Sequence, residues 1–257
     1  MGQIVNLRSK TNRDPQIEKI RLDVADLIQA LLYDKESELG RPVSKRELLP
    51  IDVCRLAFLQ GLRVEKVEEL GGVLIGNPWA DRDVKVPGLF NCSTRTITVA
   101  EREPLEQQRF TIGHELGHAL YHSGPVHLRE RAARAASSSD ATLSTNEGRH
   151  KAEEREANVF AAEVLMPAEL VGEAMTERFG GRIDGTVPHE ELAYFLSIAT
   201  RQKISAGRLS QMPQVERAKL FAVADNFRGR FFEPLTRLFG VSAEAMAIRL
   251  LELDLVS

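Results

Sequence analysis

Residues 109–121, Arg-Phe-Thr-Ile-Gly-His-Glu-Leu-Gly-His-Ala-Leu-Tyr, constrain this chain more than any other stretch. Apolar residues at 112, 116, 119 and 120 recur at helical spacing, so the segment predicts a helix with one buried stripe. On that helix His114 and His118 stand four residues apart. They therefore share a face, about 6 Å from each other along the axis. Both imidazoles then reach one divalent ion from the same side, with Glu115 beside the first of them as a candidate catalytic base. A fold that uses this arrangement must bury the apolar stripe and leave the histidine face lining a cleft.

His-Glu-x-x-His is the ligand pattern of zinc peptidases, and the bulk of the chain is compatible with an enzyme of that kind. At 257 residues it suffices for one large domain or two small ones. Its net charge of −3 gives no global basic field to hold nucleic acid. Cys54 and Cys92 lie far apart in no CxxC pair, which predicts two buried free thiols rather than a metal site or disulfide framework. The first ten residues, Met-Gly-Gln-Ile-Val-Asn-Leu-Arg-Ser-Lys, lack the apolar run of a secretory signal. Asn6 stands where the myristoylation pattern needs Ser or Thr. No apolar stretch is long enough to span a bilayer, so the expectation is a cytoplasmic protein without membrane contact.

The elements follow from periodicity. Ile17, Ile20, Val24, Leu27, Ile28, Leu31 and Leu32 predict an amphipathic helix over 15–33, with Asp14-Pro15 as its cap. A second helix is expected over 50–60, stopped by Gly61. Then Leu62-Arg63-Val64, Gly72-Val73-Leu74-Ile75, Gly88-Leu89-Phe90 and Thr96-Ile97-Thr98-Val99 read as short strands of a small antiparallel sheet. Such a sheet would give an extended peptide a wall to lie on. Helices are expected over 105–122 and 151–165, with 129–150 as a loop beside the cleft. Further helices are expected near 168–179, 189–200, 213–230 and 232–252, with a Gly-rich connector over 180–187. The fold class is α+β: a mainly helical, zincin-like metallopeptidase core with a small sheet, followed by a helical region. The expected division is 1–167 for the core and 168–257 for the C-terminal helices.

A catalytic zinc keeps three protein ligands and one open position. His122 extends the series of histidines, but it lies a further ~6 Å along the axis, and three such residues on a straight helix do not converge on one ion. It is assigned to capping or orienting the helix end, or to supporting a ligand. A Glu from the following, antiparallel helix would close a His₂Glu site, and Glu153, Glu154, Glu156 and Glu163 all lie there. Spacing ranks Glu156 slightly ahead of Glu153 as the alternative, and Glu154 reads as a solvated carboxylate. A second donor should assist at the scissile carbonyl; Tyr121, His122, His150 and His189 are the available side chains, and spacing does not choose among them.

Two strings carry a resemblance. Gln108-Arg109-Phe110-Thr111-Ile112-Gly113-His114-Glu115-Leu116-Gly117-His118 and Glu156-Ala157-Asn158-Val159-Phe160-Ala161-Ala162-Glu163-Val164-Leu165-Met166-Pro167 resemble the ImmA/IrrE metallopeptidases. Their pattern is RFTxAHELGH followed by EANxFAAxLLMP, and only Gly113 and Val164 depart from it visibly. The resemblance implies Zn²⁺ held by His114, His118 and the Glu before Ala-Asn, which is Glu156, with Glu115 as the catalytic base. It also implies the substrate: a helix-turn-helix (XRE-type) repressor, cut so that repression is relieved in a stress or mobile-element response.

Two rivals use the same residues differently. A DNA-binding regulator would take 235–250 as helix, Gly240-Val241-Ser242 turn and helix. Only Arg237 and Arg249 supply positive charge there, against Glu244, Glu252 and Asp254, so a structural helical pair is the better reading. A toxin-antitoxin component would use the fold mainly to bind a partner.

Overall fold

The computed structural model describes residues 14–70, 87–122, 143–184 and 186–257, without the side chains at 143–147 and 150. The expected strand at Gly72–Ile75 and most of the 129–150 segment lie outside the described residues. The chain forms two compact units, one of them Asp14–Leu165 and the other built on Met166–Ser257.

The first unit begins with α1, Pro15–Leu39. Asp14 Oδ1 accepts the Gln16 N–H at 3.0 Å, and Pro15 occupies the first turn, where no backbone N–H is needed. Ile17, Ile20, Val24, Ile28 and Leu31 are buried along one stripe. The helix runs past the last apolar residue of the predicted pattern and stops at Gly40, whose φ of 64° is the left-handed cap. That extra turn is solvated, and its Asp34 carboxylate accepts two hydrogen bonds from the Arg55 guanidinium at 2.7 and 2.6 Å. Arg55 belongs to α2, Val53–Leu59, which is shorter than predicted because Asp52 caps it by accepting the Arg55 N–H. The buried face of α2 is Val53, Leu56 and Ala57.

The sheet comprises β1 (Arg63–Val67), β2 (Gly88–Asn91) and β3 (Thr96–Ala100), in the order β1-β3-β2 among the described residues. β2 pairs antiparallel with β3, and β1 pairs parallel with it, so the sheet is mixed rather than purely antiparallel. Alternation of apolar residues reports which side is buried and carries no information about strand direction. Ile97 and Val99 of the central strand are fully buried.

α3, Leu105–Tyr121, follows the sheet and packs on β2 and β3. Its first turns are anchored at two points. Gln108 Nε2 donates to the carbonyls of Glu101 and Glu103 at 3.0 and 2.7 Å, and Arg109 Nη2 donates to the Ile51 carbonyl at 2.9 Å. α4, Leu143–Leu165, packs against both α3 and α1. It starts eight residues before the predicted boundary, so 143–150 is helix and not loop. The stretch 143–150 contains one apolar residue, Leu143, so no apolar period announces the helix. Its local support is of another kind, such as the Arg149–Glu153 pair at 2.9 Å across one turn.

The second unit holds α5 (Ala168–Phe179) and α6 (His189–Thr200), whose ends match the predicted ones. A short capped helix, α7 (Ala206–Gln211), was not predicted; Ser205 Oγ accepts the Arg208 N–H. The predicted helix 213–230 divides into α8 (Gln214–Val223) and a two-stranded hairpin, β4 (Asn226–Phe227) and β5 (Arg230–Phe231). Arg228 and Gly229 both take positive φ in its turn, at 49° and 77°, a geometry that Arg does not advertise. Phe179 meets Phe221, Phe227 and Phe232 edge-on, each at 5.4 Å between ring centres, and Phe179, Phe221 and Phe227 are buried in the unit's core.

The predicted helix 232–252 is likewise two pieces, α9 (Leu235–Phe239) and α10 (Ala243–Glu252), separated by left-handed Gly240. Arg249, one of the two cations that a DNA-binding reading needs, is 2% exposed and donates from Nε to the Met166 carbonyl at 3.0 Å. It serves the fold and is withdrawn from any phosphate-binding face. The thiols also differ from expectation: Cys54 and Cys92 are free and exposed. Cys54 lies in the first turn of α2, next to buried Val53, and Cys92 follows β2 in the turn.

Candidate metal centre

Two glycines set the geometry of the site. Gly113 and Gly117, one turn apart on α3, face Ala161 and Ala157 on α4. A Cβ at Gly117 would stand 3.1 Å from the Ala157 Cα and 3.2 Å from the Phe160 Cβ, so the helices meet backbone to backbone there. A Cβ at Gly113 would meet the Ala161 Cβ at 3.3 Å. The pairing runs antiparallel, each step forward on α3 matching an equal step back on α4.

Gly117→Val is therefore expected to cost about 1–3 kcal/mol of stability by overpacking and to weaken metal uptake by parting the helices. At Gly113 an Ala gains helix propensity of about 1 kcal/mol, which offsets its tighter contact. Denaturant unfolding of both variants checks this, and wild-type stability in Gly117→Val would contradict it.

The same antiparallel register brings α4 side chains to the histidines. His114, Glu115 and His118 are all buried. The Nε2 atoms of His114 and His118 lie 3.0 Å apart. The Glu154 carboxylate reaches both through different oxygens, Oε2 at 3.6 Å from His114 Nε2 and Oε1 at 3.5 Å from His118 Nε2. Ligand atoms on a tetrahedral ion, each about 2.0–2.1 Å from it, stand ~3.3 Å from one another. The contacts lie close to that value, so two imidazole nitrogens and one carboxylate could hold a single divalent ion. Among the described residues, His114, His118 and Glu154 are the group so placed.

Glu156, to which the resemblance assigned the third ligand, lies elsewhere. Its Oε2 is 3.0 Å from His122 Nε2, and His122 Nδ1 is 2.9 Å from His118 Nδ1. The reason is helical phase. Glu154 and Asn158 are one turn apart on the face toward α3, whereas Glu156 is rotated by about 200° from Glu154. Asn158 Oδ1 lies 2.9 Å from His114 Nδ1. Glu154, read from sequence as solvated, thus joins the histidine pair.

The other candidates are engaged away from the cluster. Glu153 pairs with Arg149, and Glu163 accepts from Arg21 Nε at 3.0 Å. The Tyr121 hydroxyl donates to Asp23 Oδ2 on α1 at 3.0 Å. Burial, together with that carboxylate, pushes the phenol well above its usual range. His189 opens α6 in the second unit, and the side chain of His150 lies outside the described residues.

Residues 68–207, which include α3, α4 and the whole histidine–carboxylate cluster, match the IrrE N-terminal-like domain, Peptidase_M78. The chain belongs to this family of peptidases. Membership makes the M78 chain a peptidase by family, and the histidine–carboxylate cluster is compatible with the metal that such a peptidase needs. A solved Mycobacterium tuberculosis transcriptional regulator is similar at 19% identity and a TM-score of 0.39, covering 91% of this chain. This chain spans 51% of that protein's length. No curated protein matches the sequence.

Proposed function

We propose that this M78 chain is a zinc-dependent endopeptidase. The observation that carries the reading is the convergence of His114 Nε2, His118 Nε2 and the Glu154 carboxylate beside buried Glu115. Two nitrogens and one oxygen suit Zn²⁺, with a fourth position left open. When bound, zinc would supply a Lewis acid and lower the pKa of water to about 7.

The chain's own residues supply the rest. Glu115 takes the proton from the attacking water and returns it to the leaving amine. Gly88 brings β2 against Glu115: a Cβ there would stand 2.2 Å from Thr111 Cγ2 and 3.6 Å from Glu115 Cγ. β2 is an edge strand among the described residues, so an extended substrate segment laid along it would pass the base.

The substrate in this reading is a helix-turn-helix (XRE-type) repressor, cleaved in the cytoplasm during a stress or mobile-element response. The motif resemblance supports it, and the burial of Arg249 disfavours direct DNA binding as the alternative. No helix among the described residues is long and apolar enough to cross a membrane.

The test mixes the zinc-loaded chain with a helix-turn-helix repressor encoded beside it in the genome, and mass spectrometry reads the products. The expected outcome is one cut, lost with phenanthroline and restored by added zinc. Cleavage that survives the chelator would overturn the metal mechanism. An intact repressor would overturn the substrate.

A further inference from the structure

We infer that His122 and Glu156 are positioning residues that fix the tautomer of His118, so that its Nε2 faces the ion without a proton. The inference rests on the metal centre of His114, His118 and Glu154. It gives Glu156 a role different from that of a ligand.

Each hydrogen along the chain of contacts is placed by the acceptor it meets. An ionised carboxylate only accepts, so the 3.0 Å contact between Glu156 Oε2 and His122 Nε2 requires the hydrogen on His122 Nε2. A neutral imidazole with its hydrogen there presents a lone pair at Nδ1. The 2.9 Å contact between His122 Nδ1 and His118 Nδ1 then needs its hydrogen from His118. With Nδ1 of His118 protonated, its Nε2 is left as a lone pair. Asn158 acts independently on the other ligand: its Oδ1 accepts from His114 Nδ1 at 2.9 Å, which leaves His114 Nε2 as a lone pair too.

Both sides therefore direct unprotonated Nε2 atoms at a spot where they stand 3.0 Å apart. Two lone pairs that close repel unless a cation sits beside both. His122 is thus useful because it is not a ligand. The third histidine of the i, i+4, i+8 series is beyond reach of the ion but within reach of the second. Its side chain is 4% exposed, so water does not compete for Nδ1.

Zinc affinity of the full chain, measured by chelator competition, tests the relay. Glu156→Ala and His122→Ala are each expected to weaken binding roughly 10–100-fold, the usual cost of losing an outer hydrogen-bond partner. Glu156→Gln should stay within about threefold of wild type, because the amide oxygen accepts the same His122 N–H. The double variant should lose little more than either single one, since both act through one path. Long-range ¹⁵N NMR of the zinc-loaded chain should show His118 protonated at Nδ1.

Unchanged affinity in both alanine variants would overturn the relay and leave the metal centre standing. So would additive losses, the mark of two unrelated structural defects. A Glu156→Gln variant that loses zinc while Glu154→Gln retains it would make Glu156 a ligand instead. A wild-type chain that takes up no zinc would sink the metal centre and the relay together.

Discussion

Glu115→Gln is expected to lower peptide hydrolysis by about 10²–10⁴-fold, the range contributed by a positioned acid–base group, while leaving the metal content unchanged. The amide has nearly the shape of the carboxylate, so the packing of α3 against β2 survives. It cannot take up a proton at neutral pH, so the attacking water is not activated. Glu115 is 7% exposed and lies outside the group formed by His114, His118 and Glu154, so the ion does not depend on it. Parallel kinetics and elemental analysis of one preparation separate these roles. Wild-type hydrolysis would remove Glu115 from the chemistry, and metal loss would make it a ligand.

His118→Ala is expected to abolish both metal uptake and hydrolysis. The substitution removes one of the three proposed ligands and also disconnects His122 and Glu156 from the site. Its loss of affinity should exceed the roughly 10–100-fold of an outer partner. Thermal unfolding provides a readout independent of substrate. A ligand present at 100 times its dissociation constant stabilises the folded state by about 2.7 kcal/mol, so added zinc should raise the wild-type Tm. The variant's Tm should stay flat. A variant that still gains stability with zinc would show that the ion sits elsewhere.

What the sequence revealed depended on how local the determinant was. His114, Glu115 and His118 were legible because one helix sets their spacing. So were the ends of α5 and α6, where Pro167, Gly180 and Pro188 mark the boundaries. The carboxylate that stands beside the two histidines was not legible. Its identity depends on the register of two helices, fixed by the contact of Gly117 with Ala157, and no count along either helix contains that register. Motif position selected Glu156, whereas three-dimensional pairing put Glu154 beside the imidazoles and Glu156 behind His122.

The same division holds elsewhere. The hairpin at 226–231 hid in a helical-looking run because its turn places Arg228 in a left-handed conformation. The first turns of α4 hid because Leu143 is the one apolar residue in 143–150, too few to show a stripe. Helix spacing alone sets His122 apart from His114 and His118, and its bond to His118 becomes meaningful only when Glu156 is seen on its far side.

Anomalous diffraction at the zinc absorption edge from zinc-loaded crystals tests the central claim most directly. The expected result is one ion bonded to His114 Nε2, His118 Nε2 and a Glu154 carboxylate oxygen at about 2.0–2.2 Å, with Glu156 still on His122. An ion held by Glu156 in place of Glu154, or bound away from both histidines, would contradict it.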